Sequence, residues 1–189
     1  SSARGTIDGF LARHDLAPNE FVSPRDADGQ GTHVAPIVAG NPVAARLFGT
    51  RVGRIAGIAP RARLAVYKAC WLKPGERRAT CATSDLARAI DDAVADGVDI
   101  INYSVGSLET DLTAPDDLAL LDAFDAGVLT VVAAGNDGPD YATIGSPSRP
   151  VATTGTIASP AAAATPRRPA TSSSRTCPSG GANTSFGSV

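Results

Sequence analysis

Two residues of this 189-residue chain have the type and setting for group-transfer chemistry, His33 and Asn136. An imidazole exchanges a proton near neutral pH, which suits it to act as general base and then general acid. A carboxamide fixed at the end of a buried strand can donate a hydrogen bond to the oxyanion formed when a carbonyl is attacked. His33 follows Gly29-Gln30-Gly31-Thr32, a flexible lead into a helix start that would hold the ring at a cleft. His14, the other histidine, lies in a polar stretch without a companion motif and reads as a surface residue. Taken singly, each candidate has a structural explanation that is at least as good. A histidine near a helix start is more often structural than catalytic, and Ala134-Gly135-Asn136-Asp137-Gly138 reads equally well as a turn.

The elements that would carry these residues alternate in type. Leu64-Ala65-Val66-Tyr67 reads as a buried strand after a Pro-Arg turn. Thr83 or Ser84 can cap a helix whose apolar face is Leu86, Ile90, Ala93 and Val94, and Gly97 stops it. Val98–Tyr103 is the next strand. Pro115-Asp116-Asp117 opens a second helix, lined by Leu118, Leu121 and Phe124 and closed by Gly127. Val128–Ala133 and Val151–Ala158 supply two more strands. Strands joined by helices of this length predict an α/β fold, a parallel sheet with helices on both faces. In such sheets chemistry gathers outside the carboxyl ends of the strands. Ser104-Val105-Gly106 and Ala134-Gly135-Asn136 occupy two such ends. A short helix of small residues begins near His33, with Pro36 in or just past its first turn.

Composition bounds the function. At 43% hydrophobic and 19% charged the sequence is that of an ordinary globular domain. No apolar run approaches the roughly 20 residues of a membrane span, so no membrane partner is expected. All 19 acidic residues lie within positions 1–140 with 13 of the 17 basic ones, a net of −6 that argues against nucleic acid as partner. Methionine is absent, position 1 included, and the sequence is expected to be an internal piece of a longer precursor. Of the three cysteines, Cys70 and Cys81 flank a short polar loop. They read either as a surface disulfide of an oxidising compartment or as two separate thiols. Two cysteines fall short of a structural zinc site, and no metal ligand set is expected.

Several ordered strings decide between these readings. Asp28-Gly29-Gln30-Gly31-Thr32-His33-Val34-Ala35 resembles the histidine motif of subtilisin-like serine proteases, the subtilases. Gly57-Ile58-Ala59-Pro60, Ala65-Val66-Tyr67-Lys68, Asp96–Gly106 and Val132–Pro139 follow in that family's order. The likeness runs from about Phe21 to Ala158. Cys70-Trp71 through Cys81 to Leu86 is similar to the pyrolysin-like branch, which includes the plant subtilases. The resemblance implies a subtilisin-like fold over residues 1–158, seen incomplete, and a serine endopeptidase that hydrolyses peptide bonds. His33 would be the general base, and Asn136 the oxyanion donor. Ser104, Val105 and Gly106 would pair with an extended polypeptide substrate, and Ala133, Ala134 and Gly135 would wall its first specificity pocket. Secretion is implied too. No cofactor is implied, structural calcium being a feature the full-length family allows.

Departures from the pattern set further expectations. Gln30 stands where the family usually has a non-catalytic histidine, and Pro36 where it usually has glycine or serine. The family order is Asp, His, Ser. No Asp-Thr-Gly or Asp-Ser-Gly precedes His33; Asp8 and Asp15 lack that context. The serine motif is missing as well, Asn183-Thr184-Ser185-Phe186 being only its nearest string. The chain alone is therefore expected to be inactive. The alternative is a non-catalytic homologue that binds peptides without cutting them. A nucleotide-binding module is excluded, because Cys70-Trp71-Leu72 after the first strand offers no glycine-rich loop. From Ser159 to Val189, 24 of 31 residues are Ser, Thr, Ala, Pro or Gly. This low-complexity tail is expected to be disordered, either a linker or coding sequence read out of frame.

Overall fold

A computed structural model describes residues 14–107, 113–138 and 143–148, and the backbone of two strands at 157–159 and 185–188. In chain order the elements are α1 (Gln30–Ala39), β1 (Val43–Leu47), β2 (Thr50–Ile55), β3 (Arg63–Val66), β4 (Cys70–Trp71) and β5 (Thr80–Cys81). They continue with α2 (Thr83–Ala95), β6 (Ile100–Tyr103), α3 (Pro115–Asp125), β7 (Leu129–Ala133), β8 (Ile157–Ser159) and β9 (Ser185–Ser188). Five strands form one parallel sheet in the order β3-β9-β6-β7-β8. This is the α/β architecture expected from the alternation of strands and helices.

The core lies where α2 and α3 meet the middle of that sheet. Leu86, Ala89, Ile90 and Ala93 of α2 cluster with Ala119, Leu120 and Ala123 of α3 and with Ile101, Tyr103 and Val132 of the strands. Alanines on both helices leave room for close approach, and burial of the larger aliphatic chains supplies about 1.5–3 kcal/mol each. Gly97 and Gly127, at φ 75° and 88°, end the two helices in the left-handed conformation that favours glycine.

Several sequence expectations change. The buried side of α3 is Asp116, Asp117, Ala119, Leu120 and Ala123, whereas Leu118 and Phe124 are exposed. Both helix faces carry apolar residues, so the periodicity was ambiguous. The two aspartates decide it, because they find partners on the inward side: Tyr103 Oη donates to Asp116 Oδ2 (2.6 Å) and Ser146 Oγ to Asp117 (2.7 Å). Neither Thr83 nor Ser84 caps α2; Ala82 holds that position without a side-chain bond. β3 is not buried: Leu64 and Val66 stay exposed at the sheet's edge. A hairpin, β1–β2, stands where the sequence showed no clear element.

Cys70 and Cys81 are bonded to each other, with Cα atoms 4.2 Å apart, and they also pair β4 with β5. Cys177 lies outside the described residues, as does most of the 159–189 tail. Within that tail the backbone of Ser185–Ser188 pairs with both β3 and β6. The low apolar content of the segment gave no sign of this. The pairing is made by backbone groups, and two parallel strands held one strand-width apart present those groups to any extended chain.

Candidate active site

The helix that carries His33 is set by a carboxylate upstream of it. Asp26 Oδ1 accepts the backbone N–H groups of Gly29 (2.7 Å) and Asp28 (3.0 Å), and Oδ2 accepts that of Thr32 (2.7 Å). These are donors that a helix start leaves unpaired. Burial pushes the Asp26 carboxyl up, but the bonds from Gly29 and Thr32 outweigh it and hold the group below its ordinary value. Gly29, at φ 98°, makes the sharp entry. Pro36 sits seven residues into α1, well past the first turn, and gives Thr32 O no donor. The far end is closed from outside. Gly57, Ile58 and Ala59 donate to the carbonyls of Gly40 (2.8 Å), Ile37 (3.0 Å) and Val38 (2.8 Å).

A largely buried ion pair, part of the lining of the site's larger cavity, fastens the segment ahead of this helix to the stretch just after β3. Lys68 Nζ meets Glu20 Oε1 at 2.5 Å and donates to the carbonyls of Arg25 (2.7 Å) and Phe21 (3.2 Å). Glu20 also accepts the backbone N–H of Leu72 (2.6 Å) and Phe21 (2.7 Å). Burial raises the Glu20 carboxyl, yet the Leu72 and Lys68 bonds bring it below the usual carboxylate range.

α1 faces the carboxyl ends of the strands across a cavity of about 520 Å³. Gln30, Gly31 and Val34 line it on the helix side, and Ser104, Val105, Gly106 and Asn136 on the sheet side. Gln30 Nε2 bridges the two, donating to Ser104 O at 2.8 Å. A smaller cavity of about 200 Å³ adjoins, lined by Ser104, Gly106, Ala133, Gly135, Asn136 and Ser146 among others. Its closeness explains Gly106: a Cβ there would lie 3.1 Å from Ser146 O. Ser146 is held by a two-way backbone bridge to Ser107 (3.0 Å each) and by its bond to Asp117. Ser148 Oγ in turn donates to Ala133 O.

Five of the predicted site residues thus share the smaller cavity, Val105 lines only the larger one, and the half-buried Ala134 lines neither. His33 differs. Its N–H bonds Gly29 O (3.0 Å) in the first turn of α1, and its exposed side chain lines neither cavity. Ser185 is remote as well. It pairs with Arg63 at the amino end of β9, one position ahead of the Phe186–Ile100 pair. That is about 16 Å of strand from the level of Ser104. Among the described residues no group of three or more His, Cys, Asp or Glu is placed to hold a metal ion, and no helix is long and apolar enough to cross a membrane.

The sequence reading missed Asp26, Glu20 and the bridging role of Gln30. Only Asp26 left a trace, an acid a few residues ahead of a helix start.

The family model described as the Subtilase family, peptidase S8, matches residues 8–185. The chain belongs to the subtilase family. It is similar to the subtilisin-like protease SBT3.3 of Arabidopsis thaliana, at 41% identity over 152 residues, covering 75% of this chain and 20% of the relative. The Arabidopsis subtilisin-like protease SBT1.3 is 44% identical over 123 residues, covering 64% of this chain and 15% of the relative. Among solved structures, one titled S41 psychrophilic protease aligns with TM-score 0.40 and 29% identity, covering 61% of this chain and 34% of that one. This subtilase chain spans about a fifth of the length of the curated relatives it matches.

Proposed function

We propose that this chain is part of the catalytic domain of a secreted serine endopeptidase that cuts polypeptides bound in extended form. His33 takes the proton of a serine hydroxyl as the oxygen attacks the scissile carbonyl, then returns it to the leaving amine. Asn136 donates to the carbonyl oxygen as it gains negative charge. Ser104-Val105-Gly106 pairs with the substrate backbone, and Ala133-Ala134-Gly135 borders the pocket for the side chain next to the cut. The serine and the aspartate of the triad come from the parent polypeptide outside this sequence, and the chain alone turns nothing over. The disulfide between Cys70 and Cys81 supports an oxidising compartment.

The observation that carries the reading is the meeting of Ser104, Gly106, Ala133, Gly135 and Asn136 around one small cavity at the carboxyl edge of the sheet. The exposed His33, which lines neither cavity, favours a second reading in which the fold binds peptides without cutting. One experiment separates the two. In the parent polypeptide, hydrolysis of a chromogenic peptide should vanish in His33→Ala. In Asn136→Ala it should fall about 10²–10³-fold, the loss found when a subtilisin loses its oxyanion asparagine. Cleavage that is absent from the parent while peptide binding persists would establish the second reading.

A further inference from the structure

The hairpin Val43–Ile55 contributes nothing to the core: four of the five residues of β1 and all six of β2 are exposed. Its register separates two chemistries. Directly opposed residues share a face and successive pairs alternate, so Arg46 opposite Arg51, with Arg54 two pairs along opposite Ala44, makes one face cationic. Val43 opposite Ile55, with Leu47 near the turn, makes the other face apolar. These three apolar side chains are 52–59% exposed. Two arginines directly opposed across a ladder repel, a cost that an anion placed between them would remove. None is available locally, because residues 29–75 contain no Asp or Glu. The two ion pairs among the described residues, Lys68–Glu20 and Arg88–Asp92, involve none of the three arginines.

The turn strengthens the case. Phe48 (φ 47°) and Gly49 (φ 82°) both adopt the left-handed conformation that a two-residue hairpin turn demands. Asparagine or glycine meets that demand at little cost and phenylalanine does not. Here a phenylalanine that is 99% exposed holds the position, packed against nothing.

We propose that this hairpin is a docking surface for an extended polypeptide segment in which Asp or Glu alternates with apolar residues. An added strand alternates its side chains between faces with a period of two. Its acids would therefore meet the arginine face while its apolar residues cover Val43, Leu47 and Ile55. The hairpin forms a sheet of only two strands, so both outer backbone edges are open among the described residues. A polypeptide can pair with such an edge and a lipid headgroup cannot, which is why a strand is the occupant. Two strands alone are marginal in water, and a third stabilises them.

The proposal is independent of any proteolytic activity and is tested by binding to the full chain. The probe is a fluorescein-labelled heptapeptide alternating Glu and Val, followed by anisotropy at low ionic strength. Saturable binding that weakens with added salt is expected. A block isomer with the same composition, a backbone N-methylated version, and the variant Arg51→Glu/Arg54→Glu should each bind about tenfold more weakly or less. Arg51→Lys should retain most of the affinity, and Phe48→Asn, which suits the turn, should lose part of it with the hairpin intact. Equal binding of the block or N-methylated peptide would reduce the effect to bulk charge and overturn the proposal. So would capture of phosphatidylglycerol vesicles through these arginines, or dimerisation through the hairpin, without peptide binding.

Discussion

The side-chain amide of Gln30 donates to the backbone carbonyl of Ser104 at 2.8 Å and joins two elements 74 residues apart in sequence. The bond ties the first turn of the His33 helix to the loop after β6 and bridges the two walls of the larger cavity. Gln30→Ala should cost about 0.5–1.5 kcal/mol, the net worth of one hydrogen bond. Gln30→Glu should cost more at neutral pH, because a carboxylate would then face a carbonyl oxygen. Urea denaturation gives the energies, and amide exchange at Val105 and Gly106 should quicken in both variants. Unchanged exchange would mean that the loop is fixed by other contacts.

Asp26 should make the chain's stability fall on the acid side. Its folded carboxyl titrates below its ordinary value, so its contribution is fully present above the unfolded value and is lost as pH falls through the folded one. Glu20 follows the same sign. Asp26→Ala should cost about 1–2 kcal/mol at neutral pH through loss of the cap and should flatten the acid limb of a stability–pH curve. An acid limb as steep as before would assign the dependence to other carboxylates.

Gly57 is held by lack of space. A Cβ there would lie 2.4 Å from Gly40 N, 2.7 Å from Ala39 N and 2.8 Å from Pro36 O, all of them backbone atoms. Gly57→Ala should therefore destabilise by about 1–3 kcal/mol and displace the carboxyl end of α1. In the parent polypeptide the same change should lower kcat more than it raises KM, since the displaced helix carries the proposed base. A thermal melt and a kinetic comparison check the two parts separately.

Tyr103 and Asp116 form a buried pair whose loss should be costly in one direction only. Burial, and then its bond to the Asp116 carboxylate, push the Tyr103 hydroxyl far above its ordinary value, so it stays a donor throughout the physiological range. Among the described residues Asp116 Oδ1 has no partner. Tyr103→Phe would strip the other oxygen too, and about 1–3 kcal/mol should be lost. Adding Asp116→Leu should recover most of it, because removing both partners leaves no buried charge unpaired. A double-mutant cycle by urea denaturation measures the coupling, and purely additive effects would refute it.

The sequence alone determined the alternation of strands and helices, the glycine stops at Gly97 and Gly127, and the family, because these depend on local patterns and ordered motifs. It also singled out the ends of β6 and β7 as the place where Ser104, Gly106, Ala133, Gly135 and Asn136 gather, a property of parallel topology. Tertiary structure decided what depends on a partner distant in the chain. The inward face of α3 follows from Tyr103 and Ser146, which donate hydrogen bonds to its aspartates, and Pro36 is tolerated in a helix whose end is closed by residues 57–59. The strand at Ser185–Ser188 forms because backbone pairing is blind to side-chain composition. Cys70 and Cys81 passed from two open readings to one once β4 and β5 set them side by side. Periodicity records which residues can be buried, and only the packed fold supplies the atoms that make one choice cheaper than another.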